Sequence, residues 1–322
     1  MQILGLLGSP KKKGNSAQLL EVFMEEARNL GANTLTINVD SRDIKPCREY
    51  KVCESKGYCP IDDDMEKEIY SLLWEADLIV MSTPVFFYSV PAQLKSLIDR
   101  SQTQWARKYM LKLEDPGRKW RNGFVLMVGA TKGDNLFEGI NLTAKYFYDA
   151  VGAVYKGFLA YRRIEKPGDI KEHPTAFKEV REKARELVEP FLNRKKVLFA
   201  CRENACRSQM SQAFARYYAG DRIESLSAGN EPAENINDSM AGVMAEKGID
   251  MHFRKPASIE KVISGNKPDI IVTMGCEVAC PVIPGAKVAE WDFPDPSGKP
   301  VEFMRDLRED IEKKVLDFIK GI

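Results

Sequence analysis

Apolar residues recur along this chain in short solid runs, separated by stretches with a helical period. The first run is Ile3 to Leu7; Gly8, Ser9 and Pro10 follow, then a Gly14-Asn15-Ser16 turn, then Leu19, Leu20, Phe23 and Met24 spaced for one helix face. The grammar continues with a strand at Thr34 to Val39, a helix at Met65 to Ala76 and a strand at Leu78 to Met81. A turn at Pro84, a helix from about Pro91 to Arg100 and a strand at Phe124 to Val128 come next. Buried strands alternating with helices predict a parallel sheet covered on both faces.

Between Arg163 and Asp169 the period is lost, and a charged helix is expected from about Pro174 to Val188. After Pro190 and the basic run Arg194-Lys195-Lys196 the pattern restarts: strand Val197 to Ala200, loop 201 to 207, helix Ser208 to Tyr218. Ile223 to Ser227 and Asp269 to Met274 read as strands, Asn237 to Lys247 and about Glu302 to Ile319 as helices. The chain has 322 residues, more than one hydrophobic core usually serves. The expectation is therefore α/β, with two doubly wound parallel-sheet domains, residues 1–190 and 195–322.

Charge narrows the function classes. Lys and Arg number 48 against 47 Asp and Glu, a net charge of +1, and they are spread along the chain, so neither nucleic acid nor a membrane surface is an expected partner. No run reaches the roughly 18 apolar residues that cross a bilayer, and no secretory signal pattern opens the chain. A cytoplasmic location is expected, where thiols stay reduced. The seven cysteines fall into two groups: Cys47, Cys53 and Cys59, then Cys201, Cys206, Cys276 and Cys280.

Cys201 begins a Cys-x5-Arg loop between a buried strand and a helix. Such a turn presents backbone N–H groups at the positive end of a helix dipole, which suits an anion and favours a thiolate at the same place. Arg207 closes the loop as a bidentate clamp for a tetrahedral oxyanion. Ser208 is placed to donate to the Cys201 sulfur and Asn204 to hold the strained turn, whereas Cys206, directly before the clamp, reads as packing. Beyond the strand ending at Met274 lies Gly275-Cys276-Glu277-Val278-Ala279-Cys280-Pro281, and Asp295-Pro296 supplies a carboxylic acid suited to protonating a leaving oxygen.

Residues 196 to about 315 resemble the arsenate reductases built on the low-molecular-weight protein tyrosine phosphatase fold. The matching stretches are Cys201 through Met210, Ser227-Ala228-Gly229, Val272 through Cys276, and Trp291 through Gly298. The resemblance implies that Cys201 attacks arsenate held by Arg207 while Asp295 protonates the departing hydroxide. Cys276 would then attack the Cys201 sulfur and release arsenite, and Cys280 would capture Cys276 as a disulfide. The short interval between Cys276 and Cys280 leaves a small thiol or Cys206 as other candidates for the resolving role. The related phosphatases usually carry tyrosines after Asp-Pro, where this chain has Ser297-Gly298. A phosphomonoesterase joined to an independent flavin or quinone reductase is the alternative.

In the N-terminal half, the loop from Gly8 to Ser16 forms a second anion cradle without the glycine pattern of dinucleotide folds or the Lys-Ser/Thr of triphosphate loops. Ser82 through Tyr88 and Gly129-Ala130-Thr131-Lys132-Gly133 follow sheet strands, where open α/β folds place ligands. Residues 1 to about 165 resemble the flavodoxin-like, NAD(P)H-dependent FMN reductases, including an iron–sulfur branch. Carried over, Ser9, Asn15 and Ser16 would hold the FMN phosphate; Pro84, Val85, Phe86 and Phe87 would border the flavin ring, with Gly129 and Thr131 on its other side. NADPH or NADH would supply the hydride.

The iron–sulfur branch provides four cysteines where this chain has Cys47, Cys53 and Cys59, with Tyr50 where a further ligand is expected. Three thiolates could bind three irons of a cluster, but the missing fourth makes a four-iron cluster the lesser reading, and no histidine lies nearby to complete a zinc set; no metal site is expected, and a redox-active thiol group or a loop without chemistry remains. The combined expectation is an arsenate reductase that its own flavin domain re-reduces, with thioredoxin or a small thiol as a possible external reductant. A homodimer is what the flavin reductase resemblance implies.

Overall fold

The computed structural model describes residues 1–275 and 283–322. Two compact units divide the chain: residues 1–112 with 118–192, and residues 113–117 with 193–322. The short segment 113–117, inside the first domain's range by sequence, thus groups with the second unit, where Glu114 exchanges backbone hydrogen bonds with Gly248 and Asp250 (2.6 and 2.9 Å).

The first unit runs β1 (Gln2–Leu7), α1 (Asn15–Asn29), β2 (Asn33–Asn38), α2 (Val52–Lys56), α3 (Tyr70–Glu75), β3 (Leu78–Pro84), α4 (Ala92–Arg100), α5 (Gln102–Tyr109), β4 (Asn122–Val128), α6 (Glu138–Ala150), β5 (Val154–Tyr161) and α7 (Ala176–Leu192). Its five strands are all parallel in the order β2-β1-β3-β4-β5. The order reverses between β1 and β3, so the loops leaving their carboxyl ends diverge and open a crevice there. One core lies between this sheet and helices α1 and α7, built from Ile3, Phe23, Val80, Phe124, Val180 and Val188.

Two edges of the sequence pattern needed the structure. β5 alternates exposed and half-buried positions and includes Lys156 and Gly157, because an edge strand buries too little to leave an apolar run. The helix expected to end at Val188 continues through Pro190 to Leu192. Phe191 is buried near the helix end, and that packing outweighs the hydrogen bond proline withholds. His173 caps the same helix: its Nδ1 accepts from the Ala176 N–H at 3.1 Å.

The second unit runs β6 (Lys195–Cys201), α8 (Arg207–Ala219), β7 (Ile223–Gly229), α9 (Asp238–Glu246), α10 (Ile259–Gly265), β8 (Ile270–Met274), β9 (Lys287–Trp291) and α11 (Val301–Lys320). Its parallel sheet has the order β7-β6-β8-β9. Phe199, Phe214, Val272, Trp291 and Ile311 fill one face and Leu198, Ala228, Ile259 and Ile271 the other. The order reverses between β6 and β8, which places Cys201 at the crevice. Among the described residues no helix is long and apolar enough to cross a membrane.

Candidate active sites

The loop from Cys201 to Arg207 is turned inside out by its neighbours. The carbonyls of Arg202, Glu203 and Ala205 accept from the N–H groups of Glu231, Ala233 and Asn237 at 2.9 to 3.0 Å. With these carbonyls engaged outside, the loop's N–H groups are left to serve an anion on its concave side, as an oxyanion cradle requires. Gly229 permits this: a Cβ there would stand 2.5 Å from the Arg202 carbonyl oxygen and 2.7 Å from the Asn204 nitrogen.

Cys201 is buried and its Sγ lies 3.0 Å from Ser208 Oγ. Because Asn204 Nδ2 donates to that same hydroxyl at 2.8 Å, the hydroxyl hydrogen is free to point at the sulfur. Asn204 is fully buried with φ of 52°, a left-handed turn that asparagine tolerates. Its Oδ1 accepts from Ala257 N–H (2.9 Å) and Gln209 Nε2 (3.2 Å), and Arg254 Nε donates to Gln209 Oε1 at 3.0 Å. The sequence reading missed Gln209 and Arg254, which hold the nucleophile's support from outside the loop motif. A buried glutamine directly after the Arg-Ser pair was the available signal.

Arg207 is largely buried and donates from Nη1 to the Phe293 carbonyl (3.1 Å), while its Nη2 stands 3.7 Å from Asp295 Oδ1. Asp295 is exposed and also accepts from Ser297 Oγ at 3.1 Å. Clamp and candidate acid therefore meet at one crevice. Burial pushes the Cys206 thiol up to about 12, with the Cys201 charge adding to the effect, and its Sγ rests 3.5 Å from Met304 Sδ. Cys206 is a packed, protonated thiol. Cys276 and Cys280 lie outside the described residues.

In the first unit a cavity of about 190 Å3 opens at the β1–β3 crevice, lined by Ser9, Asn15, Ser16, Pro84, Val85 and Phe86 among others. Gly14, the N-cap of α1, has no side chain to satisfy the first-turn N–H groups, which leaves an anion site beside the buried hydroxyl residues Ser9 and Ser16. A whole drug-sized ligand takes roughly 300–1,000 Å3, so the cavity suits the phosphate end of FMN, with half-exposed Phe86 at its rim. The donor set fits that group.

Asn15 lines this cavity and also ties down a neighbouring loop. Its Nδ2 donates to the Lys166 carbonyl (2.9 Å) and its Oδ1 accepts from Gly168 N–H (2.9 Å) and Ile170 N–H (3.4 Å). It anchors the loop after β5, which contributes Ile164, Glu165 and Pro167 to the lining. Phe87, Gly129 and Thr131 are absent from the lining. Phe87 is fully exposed, and Gly129 is spent in the sheet, donating to the Tyr161 carbonyl and accepting from Ile164 N–H. Val128 and Ala130, which flank Gly129 in sequence, do line it.

A further cavity of about 330 Å3 is lined by Cys47, Tyr50, Cys53, Cys59, Arg100 and Thr103 among others. Arg100 and Asp63, 1% and 0% exposed, form a buried ion pair. Arg100 also donates to the carbonyls of Lys45 (3.0 Å) and Ile61 (3.4 Å), and Arg107 to that of Gly57 (2.7 Å). These anchors fix the thiol-bearing segment at both ends. Burial pushes the Cys53 thiol up, and charge on Cys59 and Cys47 pushes it the same way. A four-iron cluster is usually bound through four thiolates; this cavity has three, with the exposed ring of Tyr50 beside them, one ligand short of that set.

Residues 1–155 match the family described as NADPH-dependent FMN reductase, and residues 196–322 the low molecular weight phosphotyrosine protein phosphatases. An iron-sulfur flavoprotein of Methanosarcina thermophila is 37% identical over 112 residues, 35% of this chain and 58% of that protein. The chain spans about half the length of the iron-sulfur flavoproteins it matches. A putative arsenate reductase of Halobacterium salinarum is 36% identical over 124 residues, 37% of this chain and 87% of the relative. Arsenate reductase 2 of Staphylococcus haemolyticus is 34% identical over 131 residues, 39% of this chain and 98% of the relative. The chain is thus a fusion of an FMN reductase family domain with a domain that belongs to the arsenate reductases of the low-molecular-weight phosphatase fold.

Proposed function

We propose that the second unit reduces arsenate to arsenite with its own thiols and that the first unit supplies the electrons to reset them. The observation that carries this reading is Cys201 Sγ held 3.0 Å from the Ser208 hydroxyl at the mouth of an N–H cradle closed by Arg207. Arsenate is a tetrahedral oxyanion that this cradle and the guanidinium fork match.

In the first step the Cys201 thiolate forms an S–As bond, the As–O bond to one hydroxyl breaks, and Asp295 gives that oxygen the proton that makes it water. The Cys276 thiolate then attacks the Cys201 sulfur; the S–As pair stays with arsenic, which leaves as arsenite, reduced by two electrons. Cys280 attacks Cys276 and frees Cys201, leaving a Cys276–Cys280 disulfide. Packed and protonated, Cys206 is poorly suited to the resolving role, since the thiolate is the attacking species.

FMN, held by Ser9, Ser16 and the α1 N-terminus, would accept hydride from NADPH or NADH and supply electrons for disulfide reduction. Asn15 positions the loop that closes that cavity. Thioredoxin or a small thiol would serve the same disulfide from outside, and a homodimer is the assembly we propose for the flavin unit.

Purified protein given NADPH, FMN and arsenate, without added thiol, should produce arsenite continuously. Formation that stops after one equivalent would reject the internal supply while leaving the thiol cascade intact. The match of residues 196–322 to phosphatases favours a second reading, phosphomonoester hydrolysis with Asp295 as the acid. Hydrolysis of an aryl phosphate faster than arsenate reduction would select it.

A further inference from the structure

The cavity bordered by Cys47, Cys53 and Cys59 belongs to neither reaction site, yet it is built with care. A buried ion pair is expensive to assemble and strongly destabilising to break, and here Arg100–Asp63 ties down Lys45 and Ile61 on either side of the three thiols. Gly57, between Cys53 and Cys59, has φ of 73°, and a Cβ on it would stand 2.3 Å from Arg107 Nη1. Arg100 lines the same cavity as Cys59.

We propose that Cys47, Cys53 and Cys59 form a three-thiol capture site for trivalent arsenic; the choice of ligand rests on the function proposed above, whose product is arsenite. The number of ligands selects the class. Zinc in a structural site takes four ligands and a four-iron cluster four thiolates, whereas trivalent arsenic, with a lone pair in its fourth position, takes three. Thiolates are the soft ligands it prefers, by the same matching that assigns soft metals to cysteine. Neither histidine of the chain, His173 or His252, lines the cavity.

Capture is a condensation without redox change: As(OH)3 and three thiols give As(SR)3 and three waters, each thiol proton leaving with one hydroxyl. Among the described residues no three such side chains converge closely enough to hold an ion, so capture draws the sulfurs together. Cys47 is the thiol placed to move, being exposed on a stretch without helix or strand, whereas Cys53 sits on α2. Between them Glu49 and Lys51 both have positive φ, a sparsely populated backbone state from which the segment can rearrange.

The test uses the full chain with Cys201→Ser, Cys276→Ser and Cys280→Ser, so that the C-terminal thiols cannot compete. Incubated anaerobically with arsenite, this variant should gain one arsenic less three hydrogens by native mass spectrometry and lose three titratable thiols. Adding Cys47→Ser should weaken arsenite binding at least tenfold while FMN binding, the check on folding, is unchanged. No adduct with excess arsenite, an adduct indifferent to Cys47→Ser, or a content of four irons and four sulfides per chain that arsenite does not displace would each overturn the site. Arsenate reduction by the unaltered chain is measured in parallel. Reduction without capture sinks this inference alone; capture without reduction sinks the function reading and leaves the thiol site standing.

Discussion

Asn15 Nδ2 donates to the Lys166 carbonyl at 2.9 Å, joining the start of α1 to the loop after β5 across 151 residues of sequence. With its Oδ1 accepting from Gly168 and Ile170, one side chain fixes a wall of the proposed flavin cavity. Asn15→Ala should therefore loosen that wall. Losing such hydrogen bonds, with buried groups left unpaired, costs about 1–3 kcal/mol. The expected result is FMN binding weakened by roughly tenfold, about 1.4 kcal/mol, with faster proteolysis within 164–170. Quenching of flavin fluorescence on titration checks the first and limited proteolysis the second.

The contacts of Asn15 mark the reach of the sequence pattern. The cradle at Gly8 to Ser16 and the loop at Pro84 were legible because strand-end turns punctuate the apolar pattern. Which atom Asn15 engages depends on a partner far along the chain, and no local period encodes it. Gly129 shows the same dependence on distant partners. Its position after β4 identifies the crevice, but the sheet hydrogen bonds to Tyr161 and Ile164 consume its backbone. In the second unit the Cys201–Arg207 motif is legible as a strand-to-helix loop, and Ser208 lies within hydrogen-bond reach of both Cys201 and Asn204. Gln209 shows in the sequence only by its place after Arg207-Ser208, and Arg254 not at all, because their contribution arises from a contact between positions 45 residues apart.

Cys206 should remain unreactive at neutral pH. Its thiol is pushed up to about 12 by burial and then by the charge of Cys201, so an alkylating agent at pH 7 should label it far more slowly than Cys201. The linkage has a definite sign. The folded state holds this proton more tightly than the unfolded chain, whose thiol has the ordinary value of 9.0. The contribution to stability is full below about pH 9 and falls as pH rises toward 12. Urea unfolding of Cys206→Ala across that window should show a shallower loss of stability than the unaltered chain shows.

Breaking the Arg100–Asp63 pair should be costly in a way a surface pair is not. Both side chains are essentially buried, and removing one partner leaves an uncompensated charge, worth about 3–5 kcal/mol. Asp63 also accepts from the Lys45 and Met65 N–H groups, each at 3.0 Å. Asp63→Ala should lower the unfolding midpoint of the first unit and expose Cys53 and Cys59 to thiol reagents. Replacing both residues by apolar side chains should recover part of the stability but not the shielding of the thiols, because the Lys45 and Ile61 carbonyls lose their donor. Calorimetry and timed thiol labelling separate the two effects.

Gly229→Ala tests whether the N–H cradle is the anion site. The added carbon would meet the Arg202 carbonyl oxygen, the Asn204 nitrogen and the Glu203 carbonyl carbon at 2.5, 2.7 and 2.9 Å. All three are backbone atoms of the loop itself, so no side chain can swing aside and the loop must shift. Gly229 N–H also donates to the Ala257 carbonyl, on the segment whose own N–H holds Asn204 Oδ1. The shift therefore reaches the support of Ser208 and Cys201. A displacement of about 1 Å at a reacting group can cost roughly a hundredfold in rate, and arsenate reduction should fall by that order. Phosphate, a non-reacting tetrahedral anion, should lose its protection of Cys201 against alkylation in the same variant. Protection retained at the original phosphate concentration would show that the anion is held elsewhere, and the cradle would lose its assigned role.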